Sequence, residues 1–310
     1  MHSNSNSPWV DGQSSYISRR GALKTLGLSA AGLSVAAMLR TPALGKLVGP
    51  PNDNPVLRRN DYDILNFALN LEYLEAEYYT YATTGLGIEA AGAGVTGTGV
   101  LGQTTVKANP MVPFATQAIR EYANEIAADE LQHVNFLRAA ITALGGQPVA
   151  RPAINLQDSF MTAAELAGLG SGFDPFANEV SFLIGAFVFE DVGVTAYKGA
   201  APLIGGKDVL EAAAGLLAVE AYHASAVRLL LYQLGDATRA AAQAISDLRD
   251  TAAGSEKDQG VVLDGMANIV PTDGDSLAFS RSAREVLNIV YLGGASSGGF
   301  FPNGLNGTIR

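Results

Sequence analysis

Apolar residues set the first strong period in the chain. Ile64, Leu65, Ala68, Leu71 and Leu74 recur at helical spacing. Asp61 or Asp63 is placed to cap the start of this helix, which should run to about Thr84. Seven glycines then crowd residues 85–109. No helix survives that density, so the segment reads as a long, mobile loop. Pro110 and Pro113 open a second helix that runs to about Leu144, where Gly145, Gly146 and Pro148 stop it. Residues 146–174 form a second long connection, with one short helix around Thr162–Leu169. A third long helix is expected from about Pro175 to Ala200 and a fourth from about Asp208 to Leu234.

Four long helices make an all-α four-helix bundle the natural architecture for residues 61–235. Residues 46–60, with three prolines, read as a linker. Residues 236–310 form a C-terminal extension expected to pack on the bundle. It holds an Ala-rich helix at 236–252, a helical patch from Ser282 to Tyr291 and a loop-like end.

Composition narrows the chemistry. Hydrophobic residues make up 48% of the 310 and charged ones 16%, so a sizeable core is easily built. There is no cysteine, which excludes disulfides, iron–sulfur clusters and thiolate metal sites; any metal must be held by Glu, Asp and His. A net charge of −10 argues against a nucleic-acid partner.

The N-terminus has the layout of a targeting segment. Ser18-Arg19-Arg20-Gly21-Ala22-Leu23-Lys24 precedes an uncharged apolar stretch from Thr25 to Leu39, followed by Arg40, Pro42, Ala43 and Gly45. A basic start, a short apolar run and small residues define a signal peptide, here residues 1–45. The paired arginines resemble the twin-arginine export signal, with Ala22 where an aromatic is usual; an ordinary secretory signal or an anchor is the alternative. Cleavage near Gly45 would remove four basic residues and one acidic one, taking the charge from −10 to −13. The product is expected outside the cytoplasm, periplasmic or extracellular, and to meet a membrane only during export.

The histidines carry the sharpest signal. Apart from His2 there are two, and each follows a glutamate by three residues: Glu130-Leu-Gln-His133 and Glu220-Ala-Tyr-His223. Residues at i and i+3 share a helix face, so each pair can grip a metal. With 14 glutamates in 310 residues, chance would give both histidines this neighbour about 0.2% of the time. Glu190 ends the apolar run Phe182–Phe189, where a lone carboxylate is costly to bury and metal coordination would offset the cost. On the first helix Glu72 and Glu75 can both face inward, while Glu77 is expected to face solvent. Tyr79 follows Glu72 by seven residues and Tyr197 follows Glu190 by seven, so each tyrosine should sit two turns above its own glutamate. This internal echo favours Glu72 as the ligand, with Glu75 as a bridging or supporting group and the tyrosines as supports. Asp129 and Asp191 adjoin candidate ligands but point elsewhere on their helices, which leaves them no role.

One Glu from each of two helices and Glu-x-x-His from the other two is the pattern of ferritin-like di-metal bundles. Residues 60–235 resemble that superfamily. The wording of residues 63–79, of Asn288–Tyr291 and of Phe300–Gly307 is similar to its branch of desiccation-related proteins. The resemblance implies two metal ions per chain, iron or manganese, bound by Glu72, Glu75, Glu130, His133, Glu190, Glu220 and His223. It further implies small oxygen species as reactants and a stress role. Whether the site turns over peroxide or oxygen, only staples the bundle, or serves an iron-storage cage stays open, as does assembly into a homo-oligomer.

Overall fold

A computed structural model describes residues 55–310; for 55–59 it describes the backbone alone. The expected signal peptide with Arg19 and Arg20, the expected cleavage near Gly45 and the linker up to residue 54 lie outside the described residues. The chain is built of α1 (Pro55–Thr84), α2 (Gln117–Ala143), α3 (Asp158–Leu166), α4 (Glu179–Phe187), α5 (Glu190–Ala200), α6 (Lys207–Gln233), α7 (Asp236–Ala253) and α8 (Ala283–Val290). Among the described residues there are also a 3-10 turn at Ala201–Leu203 and four two-residue strands: β1 (Thr104–Thr105) pairs in parallel with β2 (Ile154–Asn155), and β3 (Val262–Leu263) antiparallel with β4 (Met266–Ala267). The bundle consists of α1 packed along α2, and α4–α5 packed along α6.

The first helix is central. Every residue from Glu72 to Thr80 is buried, because the bundle covers one side and the two long connections cover the other. This corrects the expectation for Glu77. Its carboxylate is fully buried, pairs with Arg151, and accepts hydrogen bonds from Thr104 Oγ1 at 3.0 Å and the Ile88 amide at 3.2 Å. A one-sided amphipathic helix was the wrong template for a helix with no solvent side.

Helix α1 also starts earlier than expected, at Pro55, and Asp61 does not cap it. The Asp61 carboxylate reaches across to the amides of Gly205 and Gly206, at 2.8 and 2.9 Å, and so fastens the turn that leads into α6. The third long helix is divided. At Val188 and Phe189 the hydrogen bonds shorten to three-residue spacing, Val188 N to Gly185 O and Phe189 N to Ala186 O, before α5 resumes at Glu190.

The glycine-rich connection is packed and paired. Thr98 bridges Val149, and β1 pairs with β2. A Cβ at Gly97 would lie 2.2 Å from Pro148 O, and one at Gly102 only 2.1 Å from the Ala153 amide. The glycines let two backbones touch.

The extension closes over the bundle. The buried Asp191 accepts from Arg228 at 2.8 Å and Arg249 at 3.0 Å. Asp258 accepts from Arg249 at 2.6 Å and Arg281 at 2.8 Å. Asp191, which the sequence left without a role, therefore ties α5 to α6 and α7. Asn306 grips the Val100 amide and carbonyl, at 2.9 and 2.8 Å, fastening the tail to the glycine-rich segment.

Candidate metal centre

Helix geometry brings the two Glu-x-x-His motifs face to face. Glu130 and His133 project from one face of α2, Glu220 and His223 from one face of α6. Glu72 and Glu75 enter from α1, and Glu190 from the first turn of α5. All seven side chains are buried, none exposing more than 6% of its surface.

Two groups of ligand-type atoms form, each within 4.8 Å: Glu72, Glu130, His133 and Glu220 in one, Glu190, Glu220 and His223 in the other. The two halves share their carboxylates. Glu130 places Oε2 3.5 Å from His133 Nδ1 and Oε1 3.0 Å from His223 Nδ1. Glu220 belongs to both groups, with Oε1 3.4 Å from His133 Nδ1. Glu72 serves one half alone, 3.2 Å from His133 Nδ1, and Glu190 the other, 3.8 Å from His223 Nδ1. Glu75 joins neither group.

The tyrosines are arranged differently from the expected stacking. Tyr79 donates to Glu190, and Tyr197 donates to Glu72. Each tyrosine thus serves the glutamate of the opposite helix, because α1 and α5 run alongside one another with their repeats crossed. A second correction concerns Asp129. Its Oδ2 lies 3.3 Å from His223 Nε2, the ring nitrogen that faces away from the centre. Sequence reasoning placed Asp129 correctly off the ligand face of its own helix but considered only that helix. Gly193 also went unnoticed: a Cβ there would meet Glu220 Oε2 at 2.5 Å. A glycine inside a helix, three residues past Glu190, was the available signal.

Electrostatics test whether a cation fits. Both oxygens of Glu130 and of Glu220, Glu190 Oε2 and His223 Nδ1 are buried without a hydrogen-bond partner. His223 Nδ1 is close to Glu130 but not aligned for a bond. So many orphaned acceptors in one place are costly unless a cation satisfies them. Without one, burial pushes Glu72 up to about 8, although His133 works the other way. Burial also raises Glu75, Glu190 and Glu220, reinforced by the neighbouring carboxylates. Burial opposes the charged form of Glu130 too, but the His133 and His223 imidazoles hold its carboxyl below the usual range. For the histidines burial disfavours charge, and the facing carboxylates overcome it, carrying His223 up to about 11 and His133 higher still. Divalent ions would replace these trapped protons and meet the orphaned oxygens, so the residues fit such ions. Carboxylates and imidazoles are ligands suited to iron or manganese.

A four-helix bundle with a buried, shared Glu and His cluster at its centre is an arrangement that could hold a pair of metal ions. The sequence matches the Ferritin-like domain over residues 60–233, and the chain belongs to that family. It is 31% identical over 272 residues to a ferritin-like catalase, Nec2, of Nesocodon mauritianus, covering 80% of this chain and 84% of that protein. It is 32% identical over 255 residues to the desiccation-related protein PCC13-62 of Craterostigma plantagineum, covering 74% of this chain and 77% of that one. No solved structure matches the chain significantly.

Proposed function

We propose that this chain is an exported di-metal protein that handles peroxide or oxygen, with hydrogen peroxide disproportionation as the leading reaction. The observation that carries the reading is the sharing of Glu130 and Glu220 between a Glu72–His133 pair and a Glu190–His223 pair. Similarity to a protein named as a ferritin-like catalase supports the reaction. The basic and apolar N-terminal sequence supports export.

Two ions of iron or manganese held by these six side chains would supply the redox change. The protein's own contribution is order and dryness. Tyr79 and Tyr197 fix the outer oxygens of Glu190 and Glu72, so that both carboxylates keep aiming inward. Asp129 sets the tautomer and orientation of His223. The buried setting keeps bulk water from competing for the open positions.

The test is metal analysis of protein purified without chelator, followed by oxygen evolution from peroxide. About two ions per chain and steady turnover are expected. Well under one ion per chain, unchanged by Glu130→Ala, overturns the proposal. A second reading is a desiccation protectant in which the metals only staple the bundle, supported by the similarity to a desiccation-related protein. Full metal occupancy without turnover of peroxide or oxygen would favour it. An iron-storage cage is disfavoured by the two long connections and the extension, and would elute as a very large particle in size-exclusion chromatography.

A further inference from the structure

Glu75 stands apart from the other four glutamates of the centre. It belongs to neither group of ligand-type atoms, and it ends a cavity whose other side-chain walls are apolar. Leu71 and Leu74 of α1, Val192 of α5, Ile289 and Val290 of α8, and Phe300 line that cavity. The roof therefore comes from the C-terminal extension. The floor is the bundle beside the metal centre.

Three features give this space a definite character. Its volume of about 20 Å³ is room for roughly one water-sized molecule. A buried water needs two to four polar partners, and the wall offers one side chain able to act as such, Glu75. The apolar side chains around it suit an apolar guest of that size. Lastly, Gly193 lines the cavity and adjoins the centre at the same time. A Cβ on it would sit 2.5 Å from Glu220 Oε2 and 3.6 Å from Glu75 Oε1. The missing methyl group leaves Glu75 and the shared ligand Glu220 as the side chains nearest this corner of the space.

We propose that this cavity is a binding site for dioxygen, or an apolar molecule of that size, exchanging with the metal centre past Gly193 and Glu75. The proposal rests on the reading that the centre handles oxygen species: an oxidase would draw its dioxygen from the site, and peroxide disproportionation would discharge dioxygen into it. The lining selects for a small apolar molecule, so alkyl hydroperoxides do not enter by this path.

Xenon is the probe, since it fills dry apolar cavities of proteins. Crystals of the full chain stripped of metal are pressurised with xenon, for the native protein and for Val192→Phe. The expected result is a xenon peak among Leu74, Val192 and Ile289 that disappears in the variant. Oxygen release or uptake by the metal-loaded protein should fall at least tenfold in Val192→Phe at unchanged metal content. Should that variant not fold, Ile289→Phe fills the cavity from the roof and serves the same two measurements. Absence of xenon from the native cavity overturns the proposal. So does unchanged turnover in a variant that keeps its metal and excludes xenon. Xenon in the native cavity with no turnover of any oxygen species supports the gas site while overturning the reading of the centre, which keeps the two failures distinct.

Discussion

Tyr79 on α1 donates its hydroxyl hydrogen to Glu190 on α5, 111 residues further along the chain. Tyr197 returns the same bond from α5 to Glu72 on α1. The centre is cross-braced: each unshared glutamate is held by the helix that supplies the other one. Removing one hydroxyl leaves a buried carboxylate oxygen without a partner, at a cost of about 1–3 kcal/mol. Tyr79→Phe should therefore weaken metal retention in the Glu190–His223 half, and Tyr197→Phe in the Glu72–His133 half. Chelator competition, followed by counting the ions that remain, reads this directly. Equal loss of both ions from either variant would contradict the crossed arrangement.

The two histidines are not equivalent. His223 has Asp129 on its outer nitrogen at 3.3 Å, whereas among the described residues no carboxylate pairs with the outer nitrogen of His133. Val219 stands at the position that would correspond to Asp129. Supporting hydrogen bonds of this kind are worth about 10–100-fold in metal affinity. Asp129→Asn should lower the affinity for one ion by that factor and leave the other nearly untouched. Calorimetric metal titration would show it as a widening gap between two binding steps.

Gly193 makes a sharp steric prediction. The Cβ of Gly193→Ala would fall 2.5 Å from Glu220 Oε2, so the shared carboxylate must move. The bundle should still fold, with unchanged helical circular dichroism, while bound metal falls by at least about half, since Glu220 serves both groups.

The metal-free protein should respond to pH in an unusual direction. Glu72 titrates near 8 when folded and near 4.3 when unfolded. The folded state therefore holds a proton between these values that the unfolded state has lost, and stability falls as pH rises through that window. Glu75, Glu190 and Glu220 shift the same way, and so do His223 and His133 above about 6.5. The metal-free melting temperature should drop steadily from pH 5.5 to 8. Metal loading should abolish or reverse the trend, because binding needs the deprotonated ligands. A flat metal-free profile would contradict the protonated cluster.

Away from the centre, Arg151→Ala would strand the Glu77 carboxylate inside the protein. The expected loss is about 3–5 kcal/mol of stability. Arg151 also touches Glu89 at 3.3 Å, but that side chain is 56% exposed, so Glu89→Ala should cost under about 1 kcal/mol. Urea denaturation of the two variants gives the comparison.

The parts of this molecule that could be read in the sequence are those written into one helix at a time. Periodicity located the bundle helices, and the i, i+3 spacing of Glu130–His133 and Glu220–His223 located two faces of the centre. What escaped depends on a neighbouring element. Glu77 was assigned to solvent because its own helix suggested a polar face; the glycine-rich segment that covers it carried no sign of where it would pack. Asp129 acts on a histidine of another helix, and Asp61 holds a turn 145 residues away. The tyrosine echo was visible as a repeat, but only the packing of α1 beside α5 crosses its bonds. The turn at Val188–Phe189 left no mark in composition, since both residues fit the apolar run around them.

Arg228 lies on the last bundle helix, yet its guanidinium donates to the carbonyls of Gln259, Gly260 and Asn268 as well as to Asp191. The match to the Ferritin-like domain ends at residue 233, but the packing that supports the bundle does not. A chain truncated there would keep every residue of the candidate metal centre and lose the three carbonyl acceptors of the fully buried Arg228. It would also lose the roof over Glu75. The tail is therefore part of what keeps the last bundle helix in place, and the excised domain should melt far below the whole chain.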